Sequence, residues 1–136
     1  REFVQIGSQE SENTPTNIKV GTNNFLMGYV QILSGVSLGD YCIIANAVKL
    51  YENVSCDDRV IVSGLCTIEA NNKIGRGVMI GGASVVNTDI PPFTLIEGNR
   101  ATIKGLNIIG LRRTLENQDD IEVIKAVYKQ ILGDTI

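Results

Sequence analysis

Taken at every sixth position from Val20, the chain reads Val20, Leu26, Ile32, Leu38, Ile44, Leu50, Cys56, Val62, Ile68, Ile74, Ile80 and Val86. Eleven of these twelve are aliphatic and the twelfth is Cys. Two residues earlier in the hexad lies a second series that includes Ile18, Val30, Val36, Cys42, Val48, Val54, Val60, Cys66 and Val78. Gly21, Gly39 and Gly75 recur on an 18-residue spacing, with Asp57 filling the gap. A period of six suits neither an amphipathic helix nor a simple alternating strand over such a length. It suits a coil with three short flat sides, each hexad forming one side. The aliphatic residue points inward, and the residue two earlier shares its face because strand side chains alternate. Turn formers such as Asn23, Asn24, Gly35, Asp40 and Asn71 fall between the sides. Fixed short periods of this kind specify solenoids. The expected fold is therefore all-β: a parallel β-helix over residues 1–92, clearest from 18 to 89, with about four coils.

Asp89-Ile90-Pro91-Pro92 is expected to end the ladder, because proline cannot donate to it. An exit segment over 93–116 follows. The period then changes: Ile121, Ile124, Tyr128, Ile131 and Leu132 stand at helical spacing, with Asp119, Asp120 and Glu122 near the start and Gly133 as a stop. This predicts a C-terminal amphipathic α-helix over 117–133, whose apolar face needs a partner in the coil flank, a further helix or another subunit.

Composition narrows the function classes. Hydrophobic residues make up 43% of the chain and aromatic ones 5%, with no Trp, so Val, Ile and Leu must build the core. A net charge of −3 argues against a general nucleic-acid binder, and no apolar run approaches a membrane span. Cys42, Cys56 and Cys66 fall at inward positions and have no paired spacing; unpaired thiols fit a reducing cytoplasm. The chain contains no histidine. No metal site and no cofactor are expected. The opening at Arg1, followed at once by strand-like Phe3, Val4 and Ile6, reads as a piece of a longer protein.

Residues 98–113, Gly-Asn-Arg-Ala-Thr-Ile-Lys-Gly-Leu-Asn-Ile-Ile-Gly-Leu-Arg-Arg, resemble the segment that follows the β-helix in bacterial UDP-N-acetylglucosamine acyltransferases, the first enzymes of lipid A synthesis. Asp89-Ile-Pro-Pro, Phe25-Leu26-Met27, Cys42-Ile43-Ile44-Ala45-Asn46 and Arg1-Glu2-Phe3 resemble the same family. The resemblance implies a left-handed β-helix, an exception to the usual right-handed crossover. It also implies a homotrimer with active sites between subunits, and transfer of a 3-hydroxyacyl group from acyl carrier protein to a UDP-amino sugar. Complete family chains are longer at both ends.

By the same resemblance, the family's general base is a His oriented by the Asp after it, and those positions here are Ser34 and Gly35. Further family histidines correspond to Gln31, Asn53 and Glu69. A sugar hydroxyl must lose its proton as it attacks the thioester, a task for a base poised near neutral pH. Serine cannot serve unless another group takes its proton. Glu69 is the one ionisable replacement, and a carboxylate of ordinary pKa, about 4.3, is a weak base at pH 7. Ser34 itself reads first as an ordinary turn residue of the β-helix.

Asn107 and Arg113 match substrate-contacting positions, while Ile109 replaces a Glu between them. Gly64 matches a glycine near the oxyanion site, and Gly82 matches the acyl-length ruler; each also fits a tight coil corner. Arg100, Lys104, Arg112 and Arg113 give residues 97–113 a positive bias suited to acyl carrier protein or a diphosphate, or simply to solvent. Three functions stay open: an acyltransferase-like protein with impaired or lost transfer, an active transferase using Glu69 or an amine acceptor, and a structural or regulatory β-helix trimer. A diverged carbonic anhydrase is disfavoured, since its zinc needs histidines.

Overall fold

The computed structural model describes residues 1–7 and 17–133. Twelve two-residue strands, from Lys19–Val20 to Val85–Val86, wind into four coils of a left-handed parallel β-helix with three faces. The first face stacks Gln5–Ile6, Gln31–Ile32, Lys49–Leu50, Thr67–Ile68 and Val85–Val86. The second stacks Lys19–Val20, Ser37–Leu38, Ser55–Cys56 and Lys73–Ile74. The third stacks Phe25–Leu26, Ile43–Ile44, Ile61–Val62 and Met79–Ile80. From Lys19 to Val86 successive rungs are 18 residues apart, as in Ser37↔Ser55 and Ser55↔Lys73, whereas Gln5 pairs with Gln31 across 26 residues.

Both sequence series fill the interior. Ile32, Ile44, Leu50, Ile68 and Ile80 are fully buried, as are Val30, Val36, Cys42, Val48, Val54, Val60 and Val78. Val20 heads its series but is 41% exposed, because its rung closes the open end of the second face. All three thiols are free and buried, and burial pushes each above the ordinary thiol range. They are packing groups, not reactive ones.

The corners repeat with the same period. Tyr29, Gly35, Tyr41, Ala47, Asn53, Arg59, Leu65, Asn71, Gly77 and Ala83 all take positive φ. That conformation turns the backbone N–H toward the preceding coil: Tyr41 donates to Thr22 O, Asn53 to Ser34 O and Leu65 to Asn46 O, at 2.9–3.0 Å. Each coil is thus bonded to the next at its corners as well as along its faces.

The prolines act differently from the sequence expectation. Pairing runs up to and past them: Ile90, just before Pro91, bridges Ile74, and Leu95, after Pro92, pairs with Met79, each sixteen residues apart instead of eighteen. Pro91 takes the place held one rung earlier by Gly75, whose N–H donates forward to Ile90. Among the described residues no rung lies ahead of Pro91, so its missing N–H leaves no ladder bond unmade there. Residues 93–116 hold more regular structure than an exit loop. Thr94–Glu97 joins the third face, and Thr102–Leu106 folds back antiparallel to it. A short helix, α1 (Ile108–Thr114), follows.

The C-terminal helix, α2 (Gln118–Leu132), is capped by Asn117 and stopped by Gly133, whose N–H bonds to Lys129 O. Its Ile121, Ile124 and Tyr128 pack on Phe93, Leu106 and Leu111, and the Tyr128 hydroxyl donates to Pro92 O. Ile131, expected on this buried side, instead joins Val123 and Val127 in an exposed row. The partner of the buried side is therefore the exit segment of the same chain. No described helix is long and apolar enough to cross a membrane.

Candidate functional site

The 18-residue coil sorts the candidate residues into columns, and three regions of the surface receive them. Gln31 lies outward on the first face, where its amide reaches Gln5 Oε1 at 3.4 Å. Ser34, half-buried, stands on the next corner, between the first and second faces, and its carbonyl accepts from Asn53 N–H at 3.0 Å. Gly35 follows with φ +74°, and a Cβ there would run into the Asn53 side-chain oxygen. Asn53 in turn donates to Asn71 Oδ1 at 3.3 Å, so amides occupy this corner column. Glu69 belongs to the same edge but sits two rungs on and is exposed. At a rung spacing of about 4.8 Å, it lies roughly 10 Å along the edge from the level of Ser34. Tyr51, Thr67 and Ala70 surround it.

Gly64 and Gly82 stack on the corner between the third and first faces. A Cβ on Gly82 would stand 3.7 Å from Gly64 O, an ordinary contact, so neither close packing nor positive φ demands glycine there. That observation removes the tight-corner explanation for Gly82. Beside them Leu65 is 70% exposed at φ +62°, an unusual placement for a bulky side chain. Arg100 is exposed in the turn that leads back from Thr94–Glu97, where Asn99 bridges Val85 at the end of the first face.

The third region is a groove of about 510 Å³ between α1 and the outer side of the third face. Its floor is Phe25, Ile43, Ile61 and Met79, and Asn107, Ile109 and Arg113 line its rim. Asn107 is 9% exposed and fully engaged. Its Oδ1 accepts from Gly110 N–H at 3.0 Å, capping α1, and its Nδ2 donates to Gly77 O at 2.9 Å. It anchors the helix that carries Arg113. Asn107→Ala should therefore lower stability by about 1–3 kcal/mol through loss of the cap and an orphaned carbonyl. Urea unfolding checks this; an unmoved midpoint would mean that the side chain carries no structural load.

Sequence reasoning missed the floor of this groove, although the signal was present. Outward residues on the first and second faces are mostly polar: Gln31, Lys49 and Thr67; Lys19, Ser37, Ser55 and Lys73. On the third face every eighteenth residue, Phe25, Ile43, Ile61 and Met79, is apolar. Within one chain, the Ser34 edge and the Arg113 groove belong to different sides of the coil.

The comparisons agree with this architecture. Residues 89–135 match the family model for UDP-N-acetylglucosamine O-acyltransferase, domain 2. The acyl-[acyl-carrier-protein]–UDP-N-acetylglucosamine O-acyltransferase of Aliarcobacter butzleri is 51% identical over 113 residues, which are 83% of this chain and 44% of that protein. This chain is homologous to the UDP-N-acetylglucosamine O-acyltransferases. The Nautilia profundicola enzyme of that name is 46% identical over 96% of this chain and 50% of its own length. A crystal structure of a UDP-N-acetylglucosamine acyltransferase superposes with a TM-score of 0.82 at 35% identity, covering 94% of this chain and 48% of that one. The Francisella novicida enzyme gives 0.78 at 32% identity over 81% of this chain and 41% of its own. The chain thus spans about half the length of the acyltransferases it matches.

Proposed function

We propose that this chain is a diverged UDP-N-acetylglucosamine acyltransferase-type protein in which the acyl-transfer step is impaired at the position of the base. Its substrates in this reading are a 3-hydroxyacyl group on acyl carrier protein and a UDP-amino sugar, met in a reducing cytoplasm. The homology carries the substrate class. The absence of any histidine from all 136 residues, with Ser34 and Gly35 at the base and its orienting acid, carries the impairment. The transfer breaks the thioester C–S bond and forms an ester C–O bond while the sugar hydroxyl gives up its proton. A serine hydroxyl can pass a proton on but cannot hold one at neutral pH, so the attacking oxygen gains little nucleophilicity.

A homotrimer fits the same reading. The apolar column of the third face is the kind of surface that soluble proteins cover. A second copy laid against it would bring a neighbour's Ser34 edge toward the Arg113 groove, and each site would then need two chains.

The deciding experiment follows acylated sugar nucleotide formation from 3-hydroxyacyl carrier protein and UDP-N-acetylglucosamine, using trimeric protein at concentrations near those of substrate. The expected rate is about 10²–10⁴-fold below that of a histidine-bearing relative. A rate equal to the relative's would overturn the proposal. Glu69 shares the Ser34 edge, and loss of such activity in Glu69→Ala would then name it as the base.

A further inference from the structure

Among the described residues the first face carries one lysine, Lys49, and it lies beside the Ser34 edge. Lys19 and Lys73 belong to the second face, Lys104 to the returning strand, and Lys125 and Lys129 to α2. Lys49 pairs with Gln31 one rung before it and with Thr67 one rung after, so the three share one outward column. Its side chain does not run straight into solvent. Lys49 is half-buried, and its Nζ lies over the Tyr51 ring, 4.5 Å from the centre. That contact aims the amine along the strand toward the corner. Tyr51 stands one rung on from Leu33, the neighbour of Ser34. The amine is therefore held about one rung, roughly 4.8 Å along the axis, from the level of Ser34.

A second observation concerns the surroundings. Tyr51 is also one wall of a hollow of about 430 Å³, completed by Thr67, Glu69 and Ala70. A hydroxyl and a carboxylate in that hollow suit the polar head of a 3-hydroxyacyl group better than its hydrocarbon tail. Glu69 does not hold the amine, since the one ion pair among the described residues is Lys125–Glu122. The titratable groups of this edge are Tyr51, Glu52 and Glu69.

Chemistry separates this amine from Ser34. A hydroxyl becomes a nucleophile only as a base removes its proton, and the chain has no histidine to do so. An amine that has shed one proton to solvent carries its own lone pair and needs no base beside it. We propose that Lys49 is a self-acylation site, at which the chain accepts the acyl group of a thioester as an amide. The amine nitrogen attacks the acyl carbonyl carbon, the C–S bond breaks, an amide C–N bond forms, and the amine's surplus proton goes to the leaving thiolate. Tyr51 is the positioning residue. The inference rests on the acyltransferase reading for delivery of the thioester to the Ser34 edge, and it goes beyond that reading by naming an acceptor within the chain.

The test incubates the whole chain with a 3-hydroxyacyl thioester of acyl carrier protein, without sugar nucleotide, and reads intact mass and then peptide mass. One acyl group should add, map to Lys49 and survive alkaline hydroxylamine, which strips esters but not amides. Lys49 should react on the order of tenfold faster than Lys73, the gain expected from positioning. Lys49→Arg, which keeps a cation over Tyr51, should lose the adduct, and Lys73→Arg should keep it. An adduct that hydroxylamine strips, one that persists in Lys49→Arg, or equal labelling of Lys49 and Lys73 would overturn the assignment. Carrier-protein binding is followed in parallel by calorimetry. Binding without an adduct would overturn self-acylation alone, whereas absence of binding would overturn the acyltransferase reading together with it.

Discussion

Replacing Ser34 with histidine is expected to raise acyl transfer by about 10²–10⁴-fold over the parent chain, the range general-base catalysis supplies. The position can take the larger side chain, since Ser34 is only half-buried on a corner. An imidazole with a pKa near 6.5 is largely neutral at pH 7 and able to accept the sugar proton. The rate should therefore rise with pH through the imidazole pKa, a profile the parent lacks. Full recovery is not expected. The orienting acid that the resemblance implies would fall at Gly35, where φ is +74° and the Asn53 side-chain oxygen occupies the place of a Cβ. The measurement is the initial rate with 3-hydroxyacyl carrier protein and UDP-N-acetylglucosamine across pH 5.5–8.5, a range of about one pH unit below and two above the free imidazole pKa. A folded variant with no gain would move the defect from proton transfer to substrate binding, with Ile109 the first position to examine.

This prediction depends on what could be read from the sequence and what could not. The coil was legible because one physical demand, burial, repeats at fixed spacing: Ile32, Leu50 and Ile68 stack in one column for the same reason. The exit was not legible. The antiparallel return of Thr102–Leu106 on Thr94–Glu97 has no six-residue signature and its register slips between Leu95 and Ile96, and Pro91 is compatible with a rung because among the described residues no further rung follows it. Ile131 obeyed the helical period yet faces away from the packed side, since spacing alone does not say how wide a buried stripe is. The candidate site was legible residue by residue, through resemblance, but not as a surface. Adding 18 to a residue number gives its neighbour in the column, so Gly35, Asn53 and Asn71 could have been grouped in advance. The double duty of Asn107 could not, because Gly77 lies 30 residues away.

The second large effect concerns the core. Leu50→Ala should cost about 2–5 kcal/mol. Leu50 is fully buried, with Ile32 one rung before it and Ile68 one rung after. Ladder and corner hydrogen bonds fix the spacing of those rungs, so neighbouring side chains cannot close over the space left by the lost atoms. Val20→Ala is the contrasting change: Val20 is 41% exposed, and its loss should stay within about 0.5–1 kcal/mol. Denaturant unfolding at one fixed protein concentration checks both, because any association between copies would make stability concentration-dependent. Equal losses at the two positions would mean that the end coil is held as firmly as the middle, contrary to the burial gradient.

Pro91 has a further consequence for the molecule in a crowded solution. A solenoid whose last rung presents free N–H groups is a template on which another chain's rung can add, and repeated addition yields a fibre. Here the leading edge of the second face ends in a residue that has no hydrogen to offer, and the third face ends under the returning strand Thr102–Leu106. Growth along the axis is thus blocked at this end by chemistry on one face and by occupancy on another.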